Sequence, residues 1–324
     1  MISIEEAANT CSQLYADTFG HQPAFLYPLP AAGSNRRYFR INASSAAQEA
    51  GLPRTLIGVV GTDADEDNAF VQLSHHFAGH DLPVPCVHAV SNDLMAYLQD
   101  DLGDQSLYAL LMSDRNADGT LGPDAMQAAT KTMKLLPQLQ FSTVGHADIF
   151  TYCYPQQQMD MTNVMFDLNY FKYNFLKFQP IEFNEYKLQH DFEALSRALL
   201  ADPADTFLYR DFQSRNVMLV DGEPFFIDFQ GGRRGPVYYD VASFLWQSSA
   251  RIAPSDRQQL IDVYLDSLRT FRPVDRTEFI HNLQAFVLFR TLQVLGAYGY
   301  RGLWEKKDYF IKSIPFALDN LSDQ

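Results

Sequence analysis

The segment from Thr206 to Gln230 constrains the fold of this 324-residue chain more than any other. Short β-rich runs flank a polar loop, and an Asp-Gly dipeptide then marks a tight hairpin turn before a return strand. This unit predicts a small sheet with Asp211, Asn216 and Asp228 at one end. The expected strands are 207–209, 217–220 and 225–227.

The spacing alone is not specific. Asp63 and Asn68 are also five residues apart, but they lie in an acidic run of the sequence. Asp211 and Asn216 instead lie between two β-rich runs, with Asp228 at the end of a third. The strand context therefore carries the inference of a functional site.

Composition limits the class of protein. The hydrophobic content of 47% and aromatic content of 14% exclude general disorder. The net charge of −14 argues against a nucleic-acid partner, whose backbone is itself negative, and is compatible with a magnesium-nucleotide or cationic substrate.

Compartment is inferred from the N-terminus and the cysteines. The first residues lack the basic and apolar regions of a secretory signal, and no apolar run approaches the ~20 residues of a membrane span. Cys11, Cys86 and Cys153 are odd in number and lack metal-ligand spacing. We expect reduced thiols, a cytoplasmic location and no membrane partner.

The first 100 residues predict a small α+β lobe. An amphipathic pattern indicates a helix at 5–19, and a second helix with an acidic start is expected at 67–79. The predicted strands are 25–29, 38–42, 55–60, 87–90 and 94–98.

From residue 101 to 324 the patterns are mainly helical, so we expect a second lobe that contains the 206–230 unit. A cleft between two such lobes is a usual ligand site. The predicted helices are 104–113, 123–140, 160–178, 186–200, 240–250, 255–270, 275–299 and 304–320.

The chain resembles the aminoglycoside-phosphotransferase and choline-kinase superfamily from about Phe25 to Trp246. The catalytic loop of that superfamily is similar to 209–216, its metal-binding segment to 227–230, and the following 235–241 also fits. The similarity is greatest to the N-acetylmuramate/N-acetylglucosamine anomeric kinases. The resemblance implies a bilobal protein-kinase-like α+β fold.

The resemblance and the residue chemistry together imply roles. Asp211 would orient the attacking hydroxyl and accept its proton. Asn216 and Asp228 would supply oxygen ligands to Mg²⁺, with ATP as phosphate donor. Asp240 opens a predicted helix, and we expect it to cap that helix or to brace Arg210.

The chain departs from the family at two points. Tyr209 stands where the family usually has His, and we expect it to support the loop without reacting. The predicted third strand has no Lys, and none occurs before Lys131. A phosphate-binding cation in the first lobe must therefore be an arginine, with Arg36, Arg37, Arg40 and Arg54 as candidates.

The nucleotide is expected at the 30–37 hairpin and at the connector between the lobes. Strand alternation places Arg40 on the inner face of the sheet, where Glu66 or Asp67 could pair with it, although a solvated basic hairpin is the simpler alternative. The nucleotide-binding candidates are Ser34, Asn35, Arg37, Arg40, Gln99 and Leu102.

The acceptor is expected beside the polar and aromatic segment 163–173. The resemblance implies that Asp167, Asn169 and Tyr170 could contact sugar hydroxyls, and Arg233 could contact substrate or phosphate. Two alternatives stay open. Phe166, Tyr170 and Tyr173 have the spacing of a helix core, and Arg233 could be a solvated surface residue.

These observations predict an ATP-dependent kinase of a small hydroxylated metabolite. The preferred hypothesis for the acceptor is an amino sugar that is phosphorylated at its anomeric hydroxyl. A choline-like or aminoglycoside-like acceptor would suit the acidic chain. A nucleotide-binding regulator without catalysis is the alternative outside the enzymes, motivated by the missing Lys and by Tyr209.

Overall fold

An antiparallel five-stranded sheet forms the first part of the chain, and its strands, numbered along the chain, are arranged in the order 1-2-3-5-4. The computed structural model describes residues 2–30 and 35–322. All five predicted strands are present, with ends shifted by one or two residues at most positions. They are β1 (Pro23–Pro28), β2 (Arg37–Ala43), β3 (Thr55–Val60), β4 (Val87–Val90) and β5 (Ala96–Asp100).

Two helices cover the two faces of this sheet. The helix α1 (Ile4–Phe19) packs on the face that carries Phe39 and Ile41, and the capping box between Ser3 and Glu6 begins it. On the other face lies α3 (Ala64–Ala78). Alternation along β2 therefore turns the neighbouring side chains of Tyr38 and Arg40 away from α1.

The rest of the chain is mainly helical, as predicted. Of the helices in the described residues, α2 (Ser45–Glu49) was not expected from the sequence. The others are α4 (Leu107–Ser113), α5 (Pro123–Phe141), α6 (Met161–Asn174), α7 (Glu185–Leu199), α8 (Tyr238–Leu245), α9 (Pro254–Leu268), α10 (Arg276–Tyr298) and α11 (Asp308–Ser322). Short 3₁₀ segments lie at Ala147–Tyr152, Leu176–Phe178 and Ser214–Asn216, and a π-helical segment at Gly299–Trp304.

The 206–230 region forms two small sheets, not the single sheet predicted. The hairpin of β7 (Val217–Val220) and β8 (Glu223–Phe226) is present, but β6 (Thr206–Leu208) pairs with β9 (Arg233–Gly235). The loop between β6 and β7 is longer than the two to five residues of a usual hairpin, so β6 can pair with a later strand. The sequence pattern missed β9.

An aromatic cluster joins the sheet to the catalytic segment. Phe70 on α3 stacks on Tyr97 of β5 with ring centroids 5.0 Å apart, and on Phe229 at 4.9 Å. Phe77 contacts Phe207 at 5.0 Å and Phe229 at 5.3 Å. The helix α3 therefore packs against both the sheet and the catalytic segment, and it fixes the position of Phe229 beside the sheet.

Cys11, Cys86 and Cys153 are free thiols, as predicted. Within residues 2–30 and 35–322, every helix is either too short or too polar to cross a bilayer.

Candidate active site

The structure brings the three predicted catalytic-loop residues together. Asn216 donates from Nδ2 to the backbone carbonyl of Asp211 over 2.9 Å and to Oδ2 of Asp228 over 3.2 Å. The carbonyl of Asn216 accepts from the backbone N–H of Ile227 at 3.0 Å. Although the sheet assignment was wrong, the juxtaposition of these side chains was correct, because these loop contacts do not depend on which strand pairs with β6.

Left-handed backbone occurs at two non-glycine positions of this site. Arg210 has φ of 76° and Asp228 has φ of 68°. Such conformations cost free energy for residues with a side chain and persist only where surrounding contacts impose them. Each of these two positions presents a carboxylate to the same cleft. At the first it belongs to Asp211, which directly follows Arg210, and at the second it belongs to Asp228 itself.

Asp240 imposes the conformation of the catalytic loop. Its carboxylate is fully buried and accepts from the backbone N–H groups of Tyr209 (3.0 Å) and Arg210 (2.9 Å) and from Nε2 of Gln140 (3.2 Å). The expected capping role is wrong, because α8 has no side-chain cap and Asp240 faces inward. The alternative expectation, a brace at Arg210, is correct.

Tyr209 supports the loop from below, as expected. Its side chain is fully buried and its hydroxyl donates to the carbonyl of Ile227, which directly precedes Asp228. Ring contacts to Phe212 and Phe229 hold it in place. The Tyr at this position therefore links the catalytic loop to the segment that carries Asp228.

The electrostatics of Asp228 suit a cation. Asp228 retains solvent exposure, and nearby protein groups desolvate its carboxylate. This desolvation, with the nearby charge of Asp211, raises the pKa of Asp228 to about 6. Gln230 donates to Oδ1 at 2.8 Å. The carboxylates of Asp211 and Asp228 are hard ligands that fit Mg²⁺. The Asn216 amide, whose Nδ2 donates to Asp228 here, would add a third such ligand if it turned its oxygen to the ion.

A buried ion-pair cluster lies at the start of α3. Arg36 donates from Nε to Oδ1 of Asp67 at 3.0 Å, and its Nη2 lies 3.1 Å from Oε1 of Glu66. Burial raises the pKa of Asp67 to about 6, although Arg36 opposes the shift. Asp63 brings these acids to the first turn because it caps α3, accepting from the N–H groups of Asp65 and Glu66.

This cluster corrects the expected partner of Arg40. Arg40 pairs with Asp101 (Nε–Oδ2, 2.7 Å) and Asp104 (Nη2–Oδ1, 2.9 Å) of the connector, and Arg36 makes the contacts expected of Arg40 with Glu66 and Asp67. Four residues of strand separate the two arginines by roughly 13 Å. Sheet register places Arg40 beside the connector and Arg36 beside α3.

The other nucleotide-binding candidates are spread over both ends of the sheet. Arg37 pairs with Val60 and lies on the α1 face, opposite Arg36, while Asn35 is exposed just before β2. Gln99 on β5 and Leu102 after it are partly buried at the connector. Ser34 lies outside the described residues. Their roles in nucleotide binding stay predictions.

An open cavity of about 450 Å³ adjoins Asp211 on the side of α6 and α10. Of the predicted acceptor residues, Asp167 and Tyr170 line it. Asn169 is half a turn away on α6 and is not among the lining residues. Phe166 is 66% exposed at the rim, so the helix-core alternative for this aromatic spacing is wrong.

Asp167 is part of a network that fixes the cavity floor. Its Oδ2 accepts from Nε2 of Gln293 at 2.8 Å, and its Oδ1 lies 3.8 Å from Nη2 of Arg210. Gln293 Oε1 in turn accepts from Tyr239 and Arg290. Burial raises the pKa of Asp167 above its usual value, although the surrounding arginines oppose the shift. Asp167 is therefore an ionisable carboxyl group that can accept hydrogen bonds beside the catalytic loop.

Arg233 is a buried residue, so the surface alternative is wrong. Its Nη1 donates to Oδ1 of Asn163 at 2.9 Å, and it belongs to β9. Burial and the nearby charge of Arg210 lower its pKa to about 10. Arg233 lines a small cavity with Asp167 and Arg210, behind the catalytic loop.

Several cavity-lining residues were missed by sequence reasoning, among them Arg215, Arg290, Gln293 and Arg301. Arg290 is the most consequential, because its Nη2 lies 3.5 Å from Oδ1 of Asp211. A usable signal was present, since Arg290 stands in the apolar run from Phe286 to Leu295 of α10, and a buried charge in such a run needs a partner.

The sequence pattern of the phosphotransferase enzyme family matches residues 28–274. The chain belongs to this phosphotransferase family. The matched region contains both the Arg36 cluster and the Asp211 site, and it ends before α10.

Among curated relatives, the chain is 27% identical over 224 residues to an N-acetylmuramate/N-acetylglucosamine kinase of Pseudomonas putida. The match covers 66% of this chain and 58% of that kinase. The chain therefore matches less than two thirds of the length of this relative. The resemblance to that branch, inferred from the catalytic loop, is confirmed.

Solved structures confirm the protein-kinase-like fold. A choline kinase from Cryptosporidium parvum superposes with a TM-score of 0.65 at 12% identity, covering 99% of this chain and 96% of that one. An amicoumacin kinase in complex with AMP-PNP and Ca²⁺ gives 0.64 at 9% identity, covering 98% and 93%. At these identities the likeness concerns the fold.

Proposed function

We propose that the protein is an ATP-dependent kinase that transfers the γ-phosphate to a hydroxyl of an amino sugar. One observation carries the proposal. Asp211 lines the open cavity, and the Asn216 side chain links it to Asp228 by hydrogen bonds to the Asp211 backbone carbonyl and to the Asp228 carboxylate. The Asp211 carboxylate thus lies between the two metal-ligand candidates, Asn216 and Asp228, and a cavity large enough for a small molecule.

Asp211 acts as the base. When ionised, its carboxylate only accepts hydrogen bonds, so it orients an acceptor hydroxyl towards the phosphate. As the hydroxyl oxygen bonds to phosphorus, the bond from phosphorus to the β-phosphate oxygen breaks and ADP leaves. The hydroxyl proton passes to Asp211.

Asp228 and the amide oxygen of Asn216 would hold Mg²⁺. The ion, when bound, would neutralise charge on the phosphates and relieve the repulsion between Asp211 and Asp228. Arg36 is our candidate for the cation beside the nucleotide phosphates, since it lies on the inner face of the sheet and is held by Glu66 and Asp67. Because Arg36 is buried, its charge would act on the phosphates from behind the site and not through exposed donors.

Support for an amino-sugar acceptor comes from the relative and from the cavity. The Pseudomonas putida relative is named for N-acetylmuramate and N-acetylglucosamine. The arginines of the cavity oppose a choline-like or aminoglycoside-like cation: Arg210, Arg215, Arg290 and Arg301 face two aspartates, Asp167 and Asp211. The overall acidity of the chain is thus a poor guide to its acceptor site.

The test is phosphate transfer from labelled ATP in the presence of Mg²⁺ to a panel of amino sugars, choline and aminoglycosides. We expect transfer to amino sugars, with the phosphorylated hydroxyl identified by NMR of the product. Asp211→Asn should lower kcat by about 10²–10⁴-fold and leave nucleotide binding intact. Asp266→Asn, an exposed carboxylate on α9, is the matched control.

The alternatives make different predictions. Nucleotide binding without transfer to any acceptor would favour a regulator, and transfer to choline or aminoglycosides alone would contradict the acceptor class. Full activity of Asp211→Asn would overturn the mechanism.

A further inference from the structure

The acceptor cavity has a charge opposite to that of the whole chain. The protein carries a net charge of −14, yet four arginines and two aspartates are the charged residues that line this cavity. Arg210 and Arg290 lie near the carboxylates of Asp167 and Asp211, at 3.8 Å and 3.5 Å. The positive excess therefore resides on the other two arginines.

Arg215 is held by neutral groups. Its guanidinium lies over the rings of Tyr108 (5.5 Å) and Tyr309 (5.3 Å), and its Nη2 donates to Oγ of Ser249 at 3.0 Å and to the Tyr309 hydroxyl. Within residues 2–30 and 35–322, the side-chain partners of Arg215 are these neutral groups. These contacts fix its position without cancelling its charge.

Arg301 is also poorly neutralised. Its nearest carboxylate is that of Glu305, at 3.9 Å from Nη1, and Glu305 is engaged more closely by Lys307 at 2.7 Å. Arg301 packs over the ring of Phe310 at 6.0 Å and is partly exposed to the cavity. A guanidinium in this setting retains donors for an anion from solution.

The π-helical segment sets where Arg301 stands. Gly299 begins this segment, and a Cβ at that position would lie 2.0 Å from the carbonyl oxygen of Asn174 on α6, so glycine permits close packing. Arg301 is eleven residues beyond Arg290, roughly 15 Å along the helix axis. Arg301 therefore lies at the end of the cavity remote from the Asp211–Arg290 pair.

We propose that Arg301, supported by Arg215, binds an anionic substituent of the acceptor sugar, a carboxylate or a phosphate ester, at the end of the cavity remote from the reacting hydroxyl. This inference rests on the proposed kinase function and narrows its acceptor class from amino sugars in general to negatively charged ones. Because residues 28–274 match the family, Arg301 belongs to a part of the chain outside that match.

The experiment compares acceptors that differ in charge. N-acetylmuramic acid, its methyl ester, N-acetylglucosamine and N-acetylglucosamine 6-phosphate are each assayed for transfer, and their binding is measured by calorimetry with AMP-PNP present. We expect the wild-type KM for an anionic acceptor to be about tenfold to a hundredfold below that of the ester, as a charge-assisted contact provides. The two anions separate carboxylate from phosphate recognition.

Variants locate the effect. Arg301→Gln should raise the KM for the anionic acceptor by about tenfold to a hundredfold and leave its KM for the ester and for ATP within about twofold. Arg301→Lys should recover part of the preference. Lys312→Gln removes an exposed positive charge of α11 outside the cavity and should change none of these values.

The outcomes separate the two proposals. Transfer to sugars with equal KM and equal affinity for acid and ester would overturn the anion site and leave the kinase function standing. A rise in the ATP KM in Arg301→Gln would assign the residue to the nucleotide and also overturn it. No transfer to any sugar would overturn the proposed function, and calorimetry would still decide the charge preference.

Discussion

Arg36 donates from Nε to Oδ1 of Asp67 over 3.0 Å, inside a space that only glycine at position 61 leaves open. A Cβ at Gly61 would lie 1.5 Å from Oδ2 of Asp67. Arg36 and Asp67 are both nearly inaccessible to solvent. The pair therefore links the start of β2 to α3, and α3 packs on Phe229 beside Asp228.

We predict that Arg36→Met raises the KM for ATP by about tenfold or more, because it removes the cation held beside the phosphate site. Arg37→Met distinguishes between the two candidate arginines, since Arg37 lies on the opposite face of the sheet. If Arg36 supplies the charge, Arg37→Met should change the KM by less than about twofold. Steady-state kinetics at varied ATP measures both. Equal effects of the two substitutions would show that Arg36 has no specific role.

The same variant has a pH signature in stability. Without Arg36, the buried Asp67 carboxylate loses its partner, so Arg36→Met should lower Tm at pH 8. The pKa of Asp67 is already raised to about 6 by burial. Below that pH the carboxyl is protonated, and the loss of Tm should shrink. A constant loss from pH 8 to pH 5 would indicate lost packing instead of an uncompensated charge.

Asp228 is predicted to reduce the stability of the unliganded protein. Its folded pKa of about 6 is above its usual value, so the folded state binds the proton more tightly than the unfolded state. The resulting destabilisation is absent at low pH and appears as the pH rises through 4 to 6. Asp228→Asn should therefore raise Tm at pH 8 and have less effect at pH 4.5.

The left-handed backbone of Asp228 provides the control for this prediction. Asn also tolerates a φ of 68°, which would stabilise the variant at every pH. A gain in Tm that does not depend on pH would therefore assign the effect to the backbone. Titration with Mg²⁺ and ATP adds a second measurement, since Asp228→Asn should lose most of the ligand-dependent rise in Tm of the wild type.

The sequence predicted most of the elements and the catalytic loop, because their signals are local. The Asp221-Gly222 turn, the strand runs and the spacing of Asp211, Asn216 and Asp228 can be read within 25 residues. The partner of β6 could not be read in this way. It is set by the later strand β9, whose pairing depends on tertiary contacts.

The choice among the arginines shows the same limit. Strand alternation correctly placed Arg40 on the inner face of the sheet, but Arg36 shares that face. Which of them meets Glu66 and Asp67 depends on where α3 and the connector lie relative to the strand ends. The cavity beside Asp211 depends on still more distant contacts, because Arg290 and Asp211 are 79 residues apart.

Asp240 is predicted to be essential for the folded catalytic loop. Asp240→Ala would leave the N–H groups of Tyr209 and Arg210 and the amide of Gln140 without their buried acceptor, at a cost of about 3–5 kcal/mol in the free energy of unfolding. Asp240→Asn keeps one acceptor oxygen and should cost less. Urea unfolding measures both, with the exposed Asp266→Ala as control. A loss below about 1 kcal/mol for Asp240→Ala would contradict the brace.

Arg290 is predicted to orient Asp211 in the reaction. Its guanidinium is buried, its Nη1 contacts Gln293, and its Nη2 lies 3.5 Å from Oδ1 of Asp211. Arg290→Gln removes that charge, so kcat should fall by about tenfold to a hundredfold with little change in the KM for ATP. Arg290→Lys keeps the charge without the planar guanidinium, so its kcat should lie between those of the wild type and Arg290→Gln.

Arg276 at the start of the same helix is the control, because its exposed ion pair with Asp262 lies far along the chain from the cavity. Arg276→Gln should retain wild-type kcat. Circular dichroism and Tm separate orientation from folding: a kcat loss in Arg290→Gln with an unchanged Tm supports the positioning role. An unchanged kcat in Arg290→Gln, or a kcat loss that parallels a fall in its Tm, would contradict the positioning role.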